Sequence, residues 1–158
     1  KLPDYPELLY DRALAADKLG KFKLLEQDLR KLIKMKPDSA HAYNALGYSL
    51  AERGSQLPEA LKLIKKAVEL SPEDPYIMDS LGWVHYRMGN LVEGVNYLNL
   101  AFAARPDAEI AAHLGEVLWM KGAKDDAKNI WRFALEKDPD NEVLLETLQR
   151  FIKKKIIE

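Results

Sequence analysis

One spacing constrains this chain more than any other feature. Leu-Gly pairs fall at 46–47, 81–82 and 114–115, in steps of 35 and 33. Single glycines in turn-like surroundings fall at Gly20, Gly54, Gly89 and Gly122, in steps of 34, 35 and 33. Prolines recur at Pro37, Pro72, Pro106 and Pro139, in steps of 35, 34 and 33. Three independent markers share one period near 34. A fixed period of this length means a unit that cannot bury its apolar face alone and must stack on its neighbours. The units run over 6–39, 40–74, 75–107 and 108–141.

Each marker has a physical reason. Within a unit the apolar pattern predicts two helices, A then B, joined by a short turn. Gly47, Gly82 and Gly115 fall inside helix A, where glycine costs about 1 kcal/mol against alanine. Their recurrence implies that a Cβ there would keep helix B away. Ala13 stands in that place in the first unit. The facing positions of helix B are also small: Ala60, Gly94 and Ala127, then Ala67, Ala101 and Ala134. Larger residues fill the remaining space, with Leu46, Leu81 and Leu114 on helix A and Leu29, Ile64, Leu98 and Trp131 on helix B. The turn glycines suit a left-handed residue that ends helix A. The prolines stop helix B, and the following "DS", "ED", "DA" and "DN" supply N-caps for the next helix A. Pro75 suits a first helical position.

Two irregularities stand out. The second unit carries one extra residue in "ERGSQLPEA", which predicts a longer turn with Pro58 in the first turn of helix B. The first unit has Arg12 where the others have leucine. After Asn141 a further amphipathic segment predicts a capping helix over 142–157, with Leu144, Leu145, Leu148, Phe151 and Ile152 on its apolar side. It could equally be helix A of a fifth unit.

These residues resemble the tetratricopeptide-repeat superfamily across nearly the whole chain. The resemblance implies an all-α fold, a right-handed superhelical solenoid of helix-turn-helix repeats forming one domain over 1–158. A narrower resemblance runs through "AHAYNALGYSLAERG", "SPEDPYIMDSLGWVHYRMGN" and "RPDAEIAAHLGEVLWMKGAKDDAKNIWRFAL". That wording is similar to the C-terminal repeats of bacterial outer-membrane lipoproteins built from such repeats. It implies a non-enzymatic adaptor or scaffold of the periplasm, some of whose relatives present substrates to a protease. A lipid anchor would lie on a segment preceding Lys1, and a cytoplasmic location is the alternative.

In that family helix A lines the concave surface, which the second, fifth, sixth, ninth, twelfth and thirteenth residues of each unit face. The first unit places Glu7, Tyr10, Asp11, Leu14, Asp17 and Lys18 there, and the second His41, Asn44, Ala45, Tyr48, Ala51 and Glu52. The third places Tyr76, Asp79, Ser80, Trp83, Tyr86 and Arg87, and the fourth Glu109, Ala112, His113, Glu116, Trp119 and Met120. Large aromatics on a concave face suit a peptide or protein partner, because they bury much area at low entropic cost. The binding residues expected are therefore Tyr10, His41, Asn44, Tyr48, Tyr76, Asp79, Trp83, Tyr86, Arg87, Glu109, His113, Glu116 and Trp119. On this view truncating Trp131 empties a core site, while truncating Trp83 or Trp119 weakens binding and costs far less stability. The opposing view packs Trp83, Tyr86 and Trp119 between repeats or against the last helix.

Glu109, His113 and Glu116 stack on one helical face. A metal would need a further ligand from elsewhere, so the expectation is an acidic rim that accepts a basic side chain of the ligand, with no metal and no catalytic residue. His85 is expected to be a packed core histidine. No phosphate loop, HExxH or GxSxG motif is present, and no cofactor is implied. With 24 basic and 25 acidic residues the chain has no bulk attraction for nucleic acid. It has no cysteine, hence no disulfide framework or thiolate zinc site. The alternatives to an adaptor are a substrate-recognition or regulatory segment of a larger enzyme, and a self-associating structural array.

Overall fold

The computed structural model describes residues 5–152. Among them lie nine helices and no strand: α1 (Pro6–Lys18), α2 (Phe22–Met35), α3 (Ala40–Glu52), α4 (Leu57–Leu70), α5 (Pro75–Arg87), α6 (Leu91–Ala104), α7 (Ala108–Met120), α8 (Lys124–Lys137) and α9 (Glu142–Phe151). The odd-numbered helices are the A helices and the even-numbered ones the B helices. No helix among the described residues is long and apolar enough to cross a membrane. Residues 153–157 of the expected capping helix lie outside the described residues.

The turn glycines end each A helix in the same way. Gly20, Gly54, Gly89 and Gly122 have φ of 68°, 64°, 88° and 96°. The amide of the residue after each glycine donates to a carbonyl five residues back: Lys21 to Ala16, Ser55 to Leu50, Asn90 to His85, and Ala123 to Leu118, at 2.8–2.9 Å. These bonds satisfy carbonyls that a helix end otherwise leaves unpaired. The extra residue of the second unit is Gln56, which takes a left-handed conformation of its own (φ 48°, ψ 49°) before Pro58 enters the first turn of α4. The caps match the sequence. Ser39 Oγ accepts from Ala42 N, Asp107 Oδ1 from Ile110 N and Asn141 Oδ1 from Leu144 N, and Asp74 Oδ1 accepts from Tyr76 N and Ile77 N.

The chain divides into two compact units, Lys1–Ser80 and Leu81–Glu158, the division falling inside α5. In the first unit α1 pairs with α2 and α3 with α4, and α2 packs on α3. Leu25, Leu29, Leu46, Leu50 and Ile64 are fully buried between them. In the second unit α7 packs on α6, α8 and α9, around Leu98, Leu114, Trp131 and Leu144.

Close approach at the helix A glycines is direct. A Cβ on Gly47 would stand 2.6 Å from Ile64 Cγ1 and 3.0 Å from Ala60 O. On Gly82 it would stand 2.7 Å from Leu98 Cγ and 3.0 Å from Gly94 O. On Gly115 it would overlap the Trp131 indole, whose Nε1 donates to Ala112 O at 3.4 Å. The last repeat therefore uses the missing side chain to seat an entire aromatic ring.

Arg12 is not a defect in the first unit. Its guanidinium forks onto Asp28, with Nε to Oδ2 and Nη2 to Oδ1 both at 2.7 Å. Asp28 is buried and occupies the helix B position held by Leu63, Tyr97 and Ile130 in later repeats. An ion pair thus replaces an apolar contact between the same two helix positions.

Candidate functional site

The A helices of the first unit carry an accessible face. Leu14 and Tyr76 are each 40% exposed, Tyr10 and Tyr48 are half-buried, and His41 is exposed. The acidic side chains Glu7, Asp11, Asp17 and Glu52 are also exposed, against Lys18. A hollow of about 280 Å³ opens between α1 and the start of α3, with Pro6, Tyr10 and Leu32 as its apolar walls and Glu7, Asp11, Lys36 and His41 at its rim. Lys36 Nζ lies 3.5 Å from Glu7 Oε1, both side chains being well exposed. A backbone hydrogen bond, and then Lys36, hold the Glu7 carboxyl below its ordinary range. Burial against its surroundings, and then the Asp11 charge, raise the Tyr10 phenol. Loss of water raises the Asp17 carboxyl, opposed by a hydrogen bond from Ser49 and by the Arg53 charge. Asn44 Oδ1 is buried and accepts no hydrogen bond among the described residues. Asp79 is buried.

A larger hollow of about 810 Å³ lies along α4, where Tyr43, Leu63 and Val68 meet a charged border. Part of that border is internally neutralised, Glu59 by Arg30 and Lys66 by Glu69, each at 2.8 Å. Size alone does not favour it over the smaller hollow, because it opens on the helix B side.

The second unit answers the expectation differently. Trp83 is only 3% exposed; its ring lies 4.4 Å from that of His113 and 5.0 Å from that of Tyr86. Trp119 is half-buried and stacks on Trp131 at 5.7 Å, with Phe151 of α9 at 6.0 Å. The two tryptophans expected on an open face are therefore packed side chains. His113 of α7 lies over Trp83, and α9 covers Trp119, its Leu144 and Thr147 being buried and its Phe151 completing an aromatic trio with Trp119 and Trp131. Leu145, expected on the apolar side of that helix, is instead exposed.

The stack of Glu109, His113 and Glu116 also resolves into packing. Glu116 is 4% exposed and both of its oxygens are engaged. Arg150 Nη1 donates to Oε1 at 3.0 Å and Nη2 to Oε2 at 2.9 Å, and Tyr86 OH donates to Oε1 at 3.2 Å. The expected acceptor of a ligand's basic group is filled by a basic group of the chain itself. Burial, the Glu116 charge and this hydrogen bond push the Tyr86 phenol from 10.0 to about 12. His113 is buried beside Trp83, and Glu109 is half-buried while Arg87 is exposed. His85 is half-buried and stacks on Tyr97 at 5.4 Å. No group of three His, Asp or Glu side chains among the described residues could hold a metal ion.

Arg150 is the partner of Glu116 that the helical spacing of α7 alone does not reveal. Its signal was available. Taking Glu142 as the first residue of a fifth helix A places Arg150 ninth, the position of Leu14, Tyr48, Trp83 and Glu116.

Pairs of a 13-residue and a 14-residue helix, joined by glycine turns at a near-constant period, define an all-α helical-repeat protein. Residues 3–75 match the tetratricopeptide-repeat family, and the chain belongs to that family. It is 49% identical over 118 residues, 73% of its length, to the TPR repeat-containing protein PA4667 of Pseudomonas aeruginosa, and covers 20% of that protein. It is 25% identical over 156 residues to the mouse protein O-mannosyl-transferase TMTC1, covering 94% of this chain and 16% of that one. The chain thus spans a fifth or less of the length of these relatives. Among solved structures it resembles TTC0263, a thermophilic TPR protein of Thermus thermophilus, with a TM-score of 0.83 at 24% identity, over 98% of this chain and 84% of that one.

Proposed function

We propose that the chain is a non-enzymatic scaffold segment that receives a peptide or partner protein on the A helices of its first unit, within a bacterial cell-envelope assembly. One observation carries the binding part. Leu14 and Tyr76 stay 40% exposed on the face that the family turns toward ligands, whereas Trp119 on the A-helix face of the second unit packs against Phe151 of α9. Apolar surface kept in water there has a cost that a partner would recover. The envelope setting rests on the sequence resemblance of the second to fourth repeats to outer-membrane repeat lipoproteins, and the Pseudomonas relative supports a bacterial setting alone.

The test is affinity capture from an envelope extract with this chain, beside Leu14→Asp with Tyr76→Ser and a control, Leu100→Asp, on the exposed side of α6. A specific partner retained by the wild type and the control but lost by the double variant supports the reading. Retention by all three would remove the A helices from the account. The similarity to a transferase favours one alternative, a recognition segment attached to an enzyme. Catalytic residues outside this segment in its full-length protein would establish that version.

A further inference from the structure

We infer that the hollow between α1 and α3 receives a basic side chain of the partner, flanked in the partner by an apolar residue. The inference rests on the scaffold reading above and names the chemistry of what binds. Its first support is the charge of the face. At the hollow itself two carboxylates, Glu7 and Asp11, stand against one lysine, Lys36, so the local field favours a cation. Its second support is shape. A hollow of about 280 Å³ suits one long side chain, and an arginine or lysine stem would lie along Tyr10, Pro6 and Leu32 while its head reached the carboxylates. The exposed Leu14 continues the apolar surface one helical turn beyond Tyr10 and gives a neighbouring apolar residue its contact.

The third support is the second unit. There a concave-face carboxylate, Glu116, already holds a guanidinium through two bonds of 2.9–3.0 Å, with Tyr86 OH alongside and the Phe151 ring 5.3 Å from the guanidinium carbon. The chain fills that position from its own last helix. At the hollow of the first unit Lys36 meets Glu7 at 3.5 Å across an exposed, monodentate contact. Such a pair is worth little in water and is readily displaced, whereas a planar guanidinium can fork onto a carboxylate.

The test uses the whole chain and short synthetic peptides, followed by fluorescence anisotropy at low salt. One peptide alternates arginine and leucine with serine spacers, a second has glutamate for arginine, and a third has serine for leucine. The first should bind about tenfold or more tighter than either of the others. Glu7→Gln with Asp11→Asn should weaken it about fivefold or more, and Lys36→Ala should tighten it. Asp125→Asn with Asp126→Asn, exposed on α8, should leave it unchanged. Circular dichroism confirms that each variant is folded. Equal binding of the glutamate peptide, no loss in the Glu7/Asp11 variant, or an equal loss in the α8 control would overturn the inference. If no peptide binds while capture still depends on Leu14 and Tyr76, the basic-ligand inference falls and the scaffold reading stands.

Discussion

At the scale of single residues, the absence of a Cβ does structural work at three places, and not equally. A Cβ on Gly47 would stand 2.6 Å from Ile64 Cγ1 and 3.0 Å from Ala60 O, whereas one on Gly115 would overlap a rigid indole. Gly115→Ala should therefore cost about 3 kcal/mol, at the upper end of ordinary overpacking, and Gly47→Ala less. Gly82→Leu should cost at least as much as Gly115→Ala, since backbone atoms of Gly94 and Leu98 stand 3.0 Å from the added Cβ. Chemical denaturation of the three variants gives this order, and equal midpoints would refute the close-approach argument. Gln56 presents the opposite case, a side chain where glycine fits better. Gln56→Gly should raise stability by up to about 1 kcal/mol, because a left-handed L-residue costs about that much; a lowered thermal midpoint would show that the turn depends on the glutamine side chain. Trp83 shows what residue spacing cannot settle. Its register gives the side of α5 on which it stands, but burial depends on what the next repeat lays over it, here His113. Trp83→Ala should cost about 3–5 kcal/mol, comparable with Trp131→Ala, as thermal melts of both variants would show.

At the scale of elements, α9 is held by an ionic clasp as well as by apolar packing. Removing Arg150 would leave the buried Glu116 with Tyr86 as its partner among the described residues. Arg150→Ala should cost about 2–3 kcal/mol, while Glu116→Gln with Arg150→Met should recover part of the loss, because no unpaired charge is then buried. Urea titrations distinguish the two, and equal stability of the single and double variants would contradict a clasp. The clasp also sets an alkaline response. The Tyr86 phenol titrates near 12 in the folded chain and near 10 when free, so the neutral form is favoured by folding. Its contribution is complete below pH 10 and is lost as the pH rises toward 12. Stability should fall across that interval, and less steeply in Tyr86→Phe. An identical slope in both proteins would detach Tyr86 from the effect. The pairing of Arg12 with Asp28 follows the same logic in the first unit. Two charged residues replacing facing apolar ones within a single repeat are a legible signal of a pair, though each alone reads as degeneracy.

At the scale of the whole molecule, the period determined most of the architecture. Gly20, Gly54, Gly89 and Gly122, Ser39, Asp107 and Asn141 act locally, so the sequence alone locates the ends of the helices. The candidate face was legible only as a register. Helical spacing identified His113 and Glu116 as neighbours on one side of α7, but their environment is set by Arg150, 34 residues beyond Glu116, and by rings that arrive from α5. Leu14, at the position equivalent to Glu116, is 40% exposed, as is Tyr76 on the same helix A face, and Tyr10 is half-buried. The central claim is that this uncovered face, not the covered one, meets the partner. Hydroxyl-radical footprinting of the chain, free and bound to the partner captured from envelope extract, tests it most directly, because oxidation reports side-chain access to water. The account predicts that Tyr10, Leu14, Tyr48 and Tyr76 lose reactivity on binding, while Trp83 and Trp131 react weakly in both states and Leu100 and Phe133 on the B helices are unchanged. Protection confined to the B helices, with Tyr10, Leu14 and Tyr76 as reactive as in the free chain, would contradict it.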